Sequence, residues 1–154
     1  NAYEWSKATE SPLAQAAVRG AEKITVRPLL GHSGKAVKLP KGASLSYDFY
    51  CDKSGDARFT IAAIPCFLNA VKDMRVSVSI DRGEPVICQL KEVYNSKDWQ
   101  FDLWRGQTLK SFYVTLPGGS HNVTIKALDD NVMIDQWVLD YDADREYYVF
   151  PVAK

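Results

Sequence analysis

Short runs of alternating apolar and polar residues constrain this chain more than any other feature. In one of them His121, Val123, Ile125 and Ala127 alternate with polar residues. Since successive side chains of a β-strand point to opposite faces, each run places its apolar residues on one face. Strands this short, with turn signals between them, predict an antiparallel β-sandwich. The other runs cover residues 45–51, 74–80 and 112–116, and the turn signals lie at residues 40–42, 53–56, 81–83 and 117–119.

Three further segments complete the expected architecture. Residues 57–65 alternate weakly, which indicates a more buried strand. Ser11 and Pro12 resemble a helix N-cap followed by proline at the first helical position, and they predict at most one short helix, ending near Gly20. Residues 91–107 are rich in turn-forming and aromatic residues, and we interpret them as a strand interrupted by a long loop.

Length and charge exclude several classes of protein. We expect the 154 residues to form a single domain, 1–154. Lys and Arg together number 19, as do Asp and Glu, and this balance argues against binding to nucleic acid or to an anionic membrane surface. No apolar run approaches the roughly 18 residues that a membrane-spanning helix needs.

The cysteines give no sign of a metal site. Cys51, Cys66 and Cys88 are odd in number, so they cannot all pair within the chain. We interpret them as buried free thiols, with a Cys51–Cys66 disulfide as the alternative. Their spacing does not match that of a zinc site.

Catalytic motifs are incomplete. Gly34 and Lys35 suggest a phosphate-binding loop, but position 29 is Leu and Ala36 replaces the Ser or Thr that would hold magnesium. The two histidines, His32 and His121, stand beside no nucleophile motif, and we interpret both as structural or surface residues. Asp129, Asp130 and Asp135 could pair for glycoside hydrolysis. The favoured interpretation is that Asp129, Asp130 and Asn131 form an exposed turn whose side chains cap their own backbone.

The tryptophans are the best candidates for a binding surface. A flat indole offers apolar area to the CH face of a sugar ring. Trp137 lies in an alternating run and is expected in the core, whereas Trp5 is ambiguous. Trp99 and Trp104 lie in the polar segment, where a ligand platform and simple packing over the end of the sandwich are equally well supported.

Four segments resemble one known domain family. Residues 29–40 (LLGHSGKAVKLP), 76–85 (VSVSIDRGEP), 116–129 (LPGGSHNVTIKALD) and 146–151 (EYYVFP) follow one another in the order of landmarks in the C-terminal domain of glycoside hydrolase family 115. That domain is related to carbohydrate-binding module families 6 and 35. The tail departs from the pattern, since Val149 and Phe150 replace the glycine and first proline.

The resemblance implies an all-β fold, an antiparallel jelly-roll β-sandwich. It implies a non-catalytic accessory domain, excised from the C-terminus of a secreted or periplasmic hydrolase that removes glucuronic acid branches from xylan. The expected partners are a polysaccharide or oligosaccharide and the parent catalytic domain.

The resemblance also suggests site residues. Residues 3–9 are similar to the opening strand of families 6 and 35, whose acidic side chains help to hold a structural calcium ion. Glu4 matches one of these ligands, but Ser6 replaces the other, which weakens a site that needs six to eight oxygen ligands. The sugar-contacting aromatic and asparagine of those families correspond most nearly to Trp99 or Trp104 and to Asn131.

Two alternatives stay open. The apolar run at residues 147–150 could dock onto another surface, which would make the domain a structural or homo-oligomerisation module without glycan binding. A small stand-alone esterase or glycosidase would need a catalytic set that the sequence does not display.

Overall fold

A computed structural model describes residues 24–31, 35–67 and 70–141. Most of this part of the chain is β-strand, and it contains one α-helix. The elements are β1 (Thr25–Pro28), β2 (Lys35–Leu39), β3 (Ser44–Cys51), β4 (Gly55–Ala63), β5 (Arg75–Ile80), β6 (Val86–Gln89), α1 (Lys97–Arg105), β7 (Thr108–Leu116), β8 (Gly119–Ala127) and β9 (Val132–Asp140).

The strands form two antiparallel sheets. The five-stranded sheet has the order β1-β2-β9-β4-β7, and the four-stranded sheet has the order β3-β8-β5-β6. Their facing sides enclose one core, so the predicted all-β jelly-roll sandwich is confirmed.

The alternation in the sequence matches the burial in the structure. On β8 the side chains of His121, Val123, Ile125 and Ala127 are buried, while those between them are not. The predicted buried strand at residues 57–65 is also confirmed, because β4 lies inside its sheet between β7 and β9. Its Phe59 is fully buried and stacks on Trp137 at 5.4 Å between ring centroids, which places Trp137 against the core as expected.

The segment 91–107 was predicted wrongly. Instead of an interrupted strand it contains α1, which begins after the N-cap Ser96 and ends at Gly106. The Ser96 hydroxyl accepts a hydrogen bond from the Trp99 amide, and Gly106 adopts the left-handed conformation at φ 71°. These end signals were present in the sequence, but no inward apolar stripe accompanied them. The helix predicted after Ser11 lies outside the described residues.

All three cysteines are free thiols. Cys51 and Cys88 are buried as expected, whereas Cys66 is only half-buried, because it lies in the loop between β4 and β5. The alternative of a Cys51–Cys66 disulfide is therefore wrong.

The connections between strands gather at two ends of the sandwich. The antiparallel registers put the β2–β3, β4–β5 and β8–β9 connections at one end together with α1, and we call this the helix end. The tight β3–β4, β5–β6 and β7–β8 turns lie at the other, which we call the turn end. Every candidate sugar-contacting residue within the described ranges belongs to the helix end.

Candidate functional site

Helix α1 has three of its four apolar side chains on the outside. Trp104 is 87% exposed, Phe101 60% and Leu103 50%, and the buried residue of the helix is a carboxylate, Asp102. A surface helix ordinarily buries its apolar stripe and exposes its polar face. Because α1 does the reverse, its position is not explained by hydrophobic burial, and its outer face is available for contact with another molecule.

Polar contacts beneath α1 hold it in place. The Asp102 carboxylate accepts a hydrogen bond from the Thr108 hydroxyl at 2.6 Å and one from the Arg105 guanidinium at 2.9 Å. Burial raises the pKa of Asp102, although these two contacts oppose the rise. Arg105 also donates to the Gln107 carbonyl, so the last turn of the helix is tied to the start of β7.

Trp99 and Trp104 have different surroundings. Trp99 is half-buried, and its ring meets Tyr94 edge-on at 5.0 Å and Phe67 edge-on at 5.7 Å between centroids. It therefore joins the helix to the preceding turn and to the loop after β4. Among the described residues no aromatic ring packs against Trp104, whose indole faces solvent.

Asn131 lies at the helix end but apart from these rings. It is exposed in the turn before β9, with φ 67°, a left-handed conformation that asparagine tolerates better than most residues. Within the described ranges no hydrogen bond or ring contact joins it to Trp99 or Trp104. The structure thus places the three candidate residues at one end of the sandwich.

The turn predicted at residues 129–131 does lie between β8 and β9, but its hydrogen bonds differ from those predicted. The Asp129 carboxylate accepts three hydrogen bonds from Arg75, one from its amide and two from its guanidinium, at 2.9 to 3.1 Å. Asp130 accepts a hydrogen bond from the Lys41 amide. These carboxylates hold neighbouring loops rather than capping their own backbone, and the hydrogen bonds from Arg75 keep the pKa of Asp129 below its ordinary range.

Asp135 also has a structural role. It is fully buried on β9, where the register with β4 shifts, and it accepts a hydrogen bond from the Gln107 side-chain Nε2 at 2.7 Å. Gly31 packs so closely on the Asp135 carboxylate that a Cβ atom would not fit there. The three aspartates considered for glycoside hydrolysis therefore serve as loop and strand anchors.

Three cations near α1 have partners. Lys110 forms an ion pair with Glu92, and the Lys91 ammonium donates to the Cys66 carbonyl at 2.9 Å. With Arg105 bound to Asp102, these charges support the loops around the helix. The outer face of α1 therefore combines exposed aromatic side chains with the exposed charges of Lys97 and Asp98 in its first turn.

The expected calcium ligand Glu4 lies outside the described residues. Within residues 24–31, 35–67 and 70–141 no group of three or more His, Cys, Asp or Glu side chains is placed to hold a metal ion. Structural calcium therefore stays a prediction.

Sequence reasoning missed Phe101 and Leu103 as parts of the candidate face. The signal was available in the two ends of the helix, Ser96 and Gly106. A helix between them puts Phe101 and Trp104 one turn apart on one side.

Comparison with known proteins gives one family. The glycosyl hydrolase family 115 C-terminal domain matches residues 15–153. None of the curated proteins matches the chain significantly.

Solved structures agree with this match. The family 115 4-O-methyl-alpha-glucuronidase BtGH115A, described as specific for decorated arabinogalactans, superposes with a TM-score of 0.69 and 26% identity. The match covers 89% of this chain and 18% of that enzyme, so the chain spans less than a fifth of its length.

Two carbohydrate-binding modules share the fold. The family 35 module from Clostridium thermocellum has a TM-score of 0.59 and 13% identity, over 78% of this chain and 89% of that module. The C-terminal family 6 module of the laminarinase LamC from Zobellia galactanivorans has a TM-score of 0.57 and 18% identity, over 79% of this chain and 91% of that module.

Within the described part of the chain, no helix has both the length and the apolar character that crossing a membrane requires.

Proposed function

Because this chain belongs to the family of glycosyl hydrolase family 115 C-terminal domains, we propose that it is a non-catalytic, carbohydrate-binding accessory domain. The parent protein in this proposal is a secreted or periplasmic, polysaccharide-degrading enzyme of the xylan alpha-glucuronidase type. The domain would bind plant cell-wall glycan and hold the catalytic domain near it.

The outward aromatic face of α1 carries this proposal. Trp104 exposes 87% of its surface, and Phe101 lies one helical turn away on the same side. Exposed indole is costly in water, and a sugar ring covers it with its CH face at little cost in side-chain entropy.

Each candidate residue has a distinct part in this mechanism. Trp104 stacks on a sugar ring, while Trp99, held between Tyr94 and Phe67, fixes the position of the helix. Asn131 hydrogen-bonds the hydroxyl groups of a chain that crosses the helix end. With one exposed indole among the described residues, binding should be weak, because each polar contact to the sugar contributes little beyond the contacts with water that it replaces.

The similarity to BtGH115A suggests which glycans to test. That enzyme is described as specific for decorated arabinogalactans, and its family gives glucuronic-acid-decorated polysaccharides as candidates. Glucuronoxylan and a decorated arabinogalactan are therefore the first two ligands for this domain.

A second function is favoured by one observation. Phe101, Leu103 and Val93, which is 76% exposed, offer no hydrogen-bonding groups, whereas sugar-binding faces combine aromatic rings with polar contacts. Such a surface also suits docking onto the parent catalytic domain or a second copy of this chain. In that case the domain is structural and binds no glycan.

Affinity electrophoresis of the chain through gels containing glucuronoxylan or decorated arabinogalactan tests the proposal. Retardation by one glycan is expected, and Trp104→Ala should abolish it while the protein stays folded. The matched control is Tyr50→Ala, since Tyr50 is 70% exposed on β3, the edge strand farthest from β6 in its sheet.

Normal mobility in every gel would refute glycan binding and favour the docking function. Retardation that survives Trp104→Ala but disappears with Tyr50→Ala would move the site away from α1. Sedimentation velocity on the same samples separates the second function, because a monomer that also ignores the catalytic domain contradicts docking.

A further inference from the structure

His121 connects two turns at the turn end of the sandwich, opposite α1. Its ring is buried, with 7% of the residue exposed, and it lies against Phe49 at 5.5 Å between ring centroids. Nδ1 is 2.5 Å from the Asp81 carboxylate in the β5–β6 turn, and Nε2 is 2.7 Å from the Pro117 carbonyl in the β7–β8 turn.

The chemistry of the two partners fixes the protons on the ring. A backbone carbonyl can only accept a hydrogen bond, so Nε2 must carry a proton. An ionised carboxylate also only accepts, so Nδ1 must carry one too. Both contacts exist together only when the imidazole is doubly protonated and positively charged.

Two further hydrogen bonds hold the Asp81 carboxylate beside the charged ring. The second oxygen of Asp81 accepts a hydrogen bond from the Asn122 amide at 2.8 Å, and the Asp81 amide donates to the Asn122 carbonyl at 2.8 Å. Asp81 and Arg82 both have positive φ, of 52° and 59°, and the Gly83 amide donates to the Ile80 carbonyl at 2.9 Å, so residues 80–83 form a tight turn. The carboxylate therefore cannot leave the ring without disturbing this turn.

We propose that His121 is a pH-sensitive latch, whose charged ring ties the β5–β6 turn to the β7–β8 turn and releases one of them when it loses a proton. In the neutral ring one nitrogen presents a lone pair to an oxygen atom. That contact becomes repulsive and breaks.

The groups around the ring favour its charged form. The hydrogen bond to Asp81 is the main cause that raises the pKa of His121, the contact with the Pro117 carbonyl adds to it, and desolvation opposes it. The hydrogen bond to His121 lowers the pKa of Asp81 in turn. On the packed elements, β3 contributes the uncharged Phe49, the β7–β8 turn an uncharged carbonyl, and the β5–β6 turn Asp81 and the exposed Arg82.

The raised pKa of His121 defines the pH range over which the latch holds the two turns together. Its stabilisation is complete below the ordinary histidine value of 6.5 and is lost as pH rises through the higher value of the folded state. At the acid side it is lost when Asp81 becomes protonated, below that group's ordinary range. The turn end is therefore held most firmly at mildly acidic pH.

Ring ¹⁵N NMR of the whole chain tests the latch. We expect both ring nitrogens of His121 to be protonated at pH 6.5, with a titration midpoint above that value. Asp81→Asn should lower the midpoint. The control Asp48→Asn should not, because Asp48 binds the Asn122 side chain and makes no hydrogen bond to the ring. His121→Gln identifies the resonances.

Urea unfolding gives a second measurement. Between about pH 5.5 and pH 8, the stability of the natural protein relative to His121→Gln should decline as pH rises. A midpoint at or below 6.5, or a difference between the two proteins that does not change with pH, would overturn the proposal. A His121→Gln protein that does not fold leaves the NMR titration of the natural protein to decide.

Discussion

Trp99 and Trp104 share one helix, yet the first is held between two rings and the second meets solvent. We predict that Trp99→Ala lowers the free energy of unfolding by about 1–3 kcal/mol, less than for a fully buried tryptophan. Trp104→Ala should change it by less than about 0.5 kcal/mol, because it removes exposed surface. Urea unfolding of both variants measures the difference.

A large loss with Trp104→Ala would show that its ring packs onto the domain. That result would also remove it as a free platform. Equal, small effects of both substitutions would mean that Trp99 does not anchor α1.

Single residues could be predicted where burial alone decides their place. Val123 and Ile125 follow the alternation of β8, and the structure confirms them in the core. Asp102 could not be predicted in the same way, because a buried carboxylate beneath a helix depends on partners from β7 that no local pattern reveals. The outward position of Trp104 follows from that anchor.

At the scale of elements, α1 depends on its two ends rather than on an apolar stripe. Gly106 adopts φ 71°, and its amide donates to the Asp102 carbonyl at 2.8 Å. Gly106→Ala is therefore predicted to lower stability by about 1 kcal/mol through strain in the left-handed conformation. Thermal unfolding with circular dichroism measures the loss.

Gly118→Ala is the matched control for that change. Gly118 has no positive φ, and an added Cβ would meet its nearest neighbour at 3.6 Å, an ordinary contact. Its stability should stay within about 0.5 kcal/mol of the natural protein. Equal effects of the two substitutions would contradict the role of Gly106 as the helix cap.

The same dependence explains why the strands were predictable and the helix was not. Alternation is a local pattern, so β3, β5 and β8 could be located from their own residues. Helix α1 follows no simple apolar period because its buried residue is the carboxylate Asp102, and Trp99 is its one half-buried apolar side chain. The order of strands, with β9 between β2 and β4, depends on pairings between distant segments, which alternation within each segment does not reveal.

At the scale of the whole molecule, we expect the core strands to be locally more stable than the candidate binding face on α1. Strands β4, β8 and β9 are each paired on both sides, whereas α1 is short and rests on polar contacts at the edge. Amides of the three strands should therefore exchange with solvent most slowly and those of α1 much faster. Hydrogen exchange read by NMR or mass spectrometry resolves these segments.

Because α1 should exchange faster than the core strands, glycan binding should change hydrogen exchange in the helix alone. Saturating glycan should slow exchange in residues 96–106, because covering Trp104 and Phe101 stabilises the closed helix, while β4 and β9 stay unchanged. The Trp104→Ala protein in the same glycan serves as the control and should show no protection. Protection at β3 and β8 instead would assign binding to the outer face of the four-stranded sheet. Protection of α1 by a second copy of the chain, without glycan, would identify docking as the use of this face.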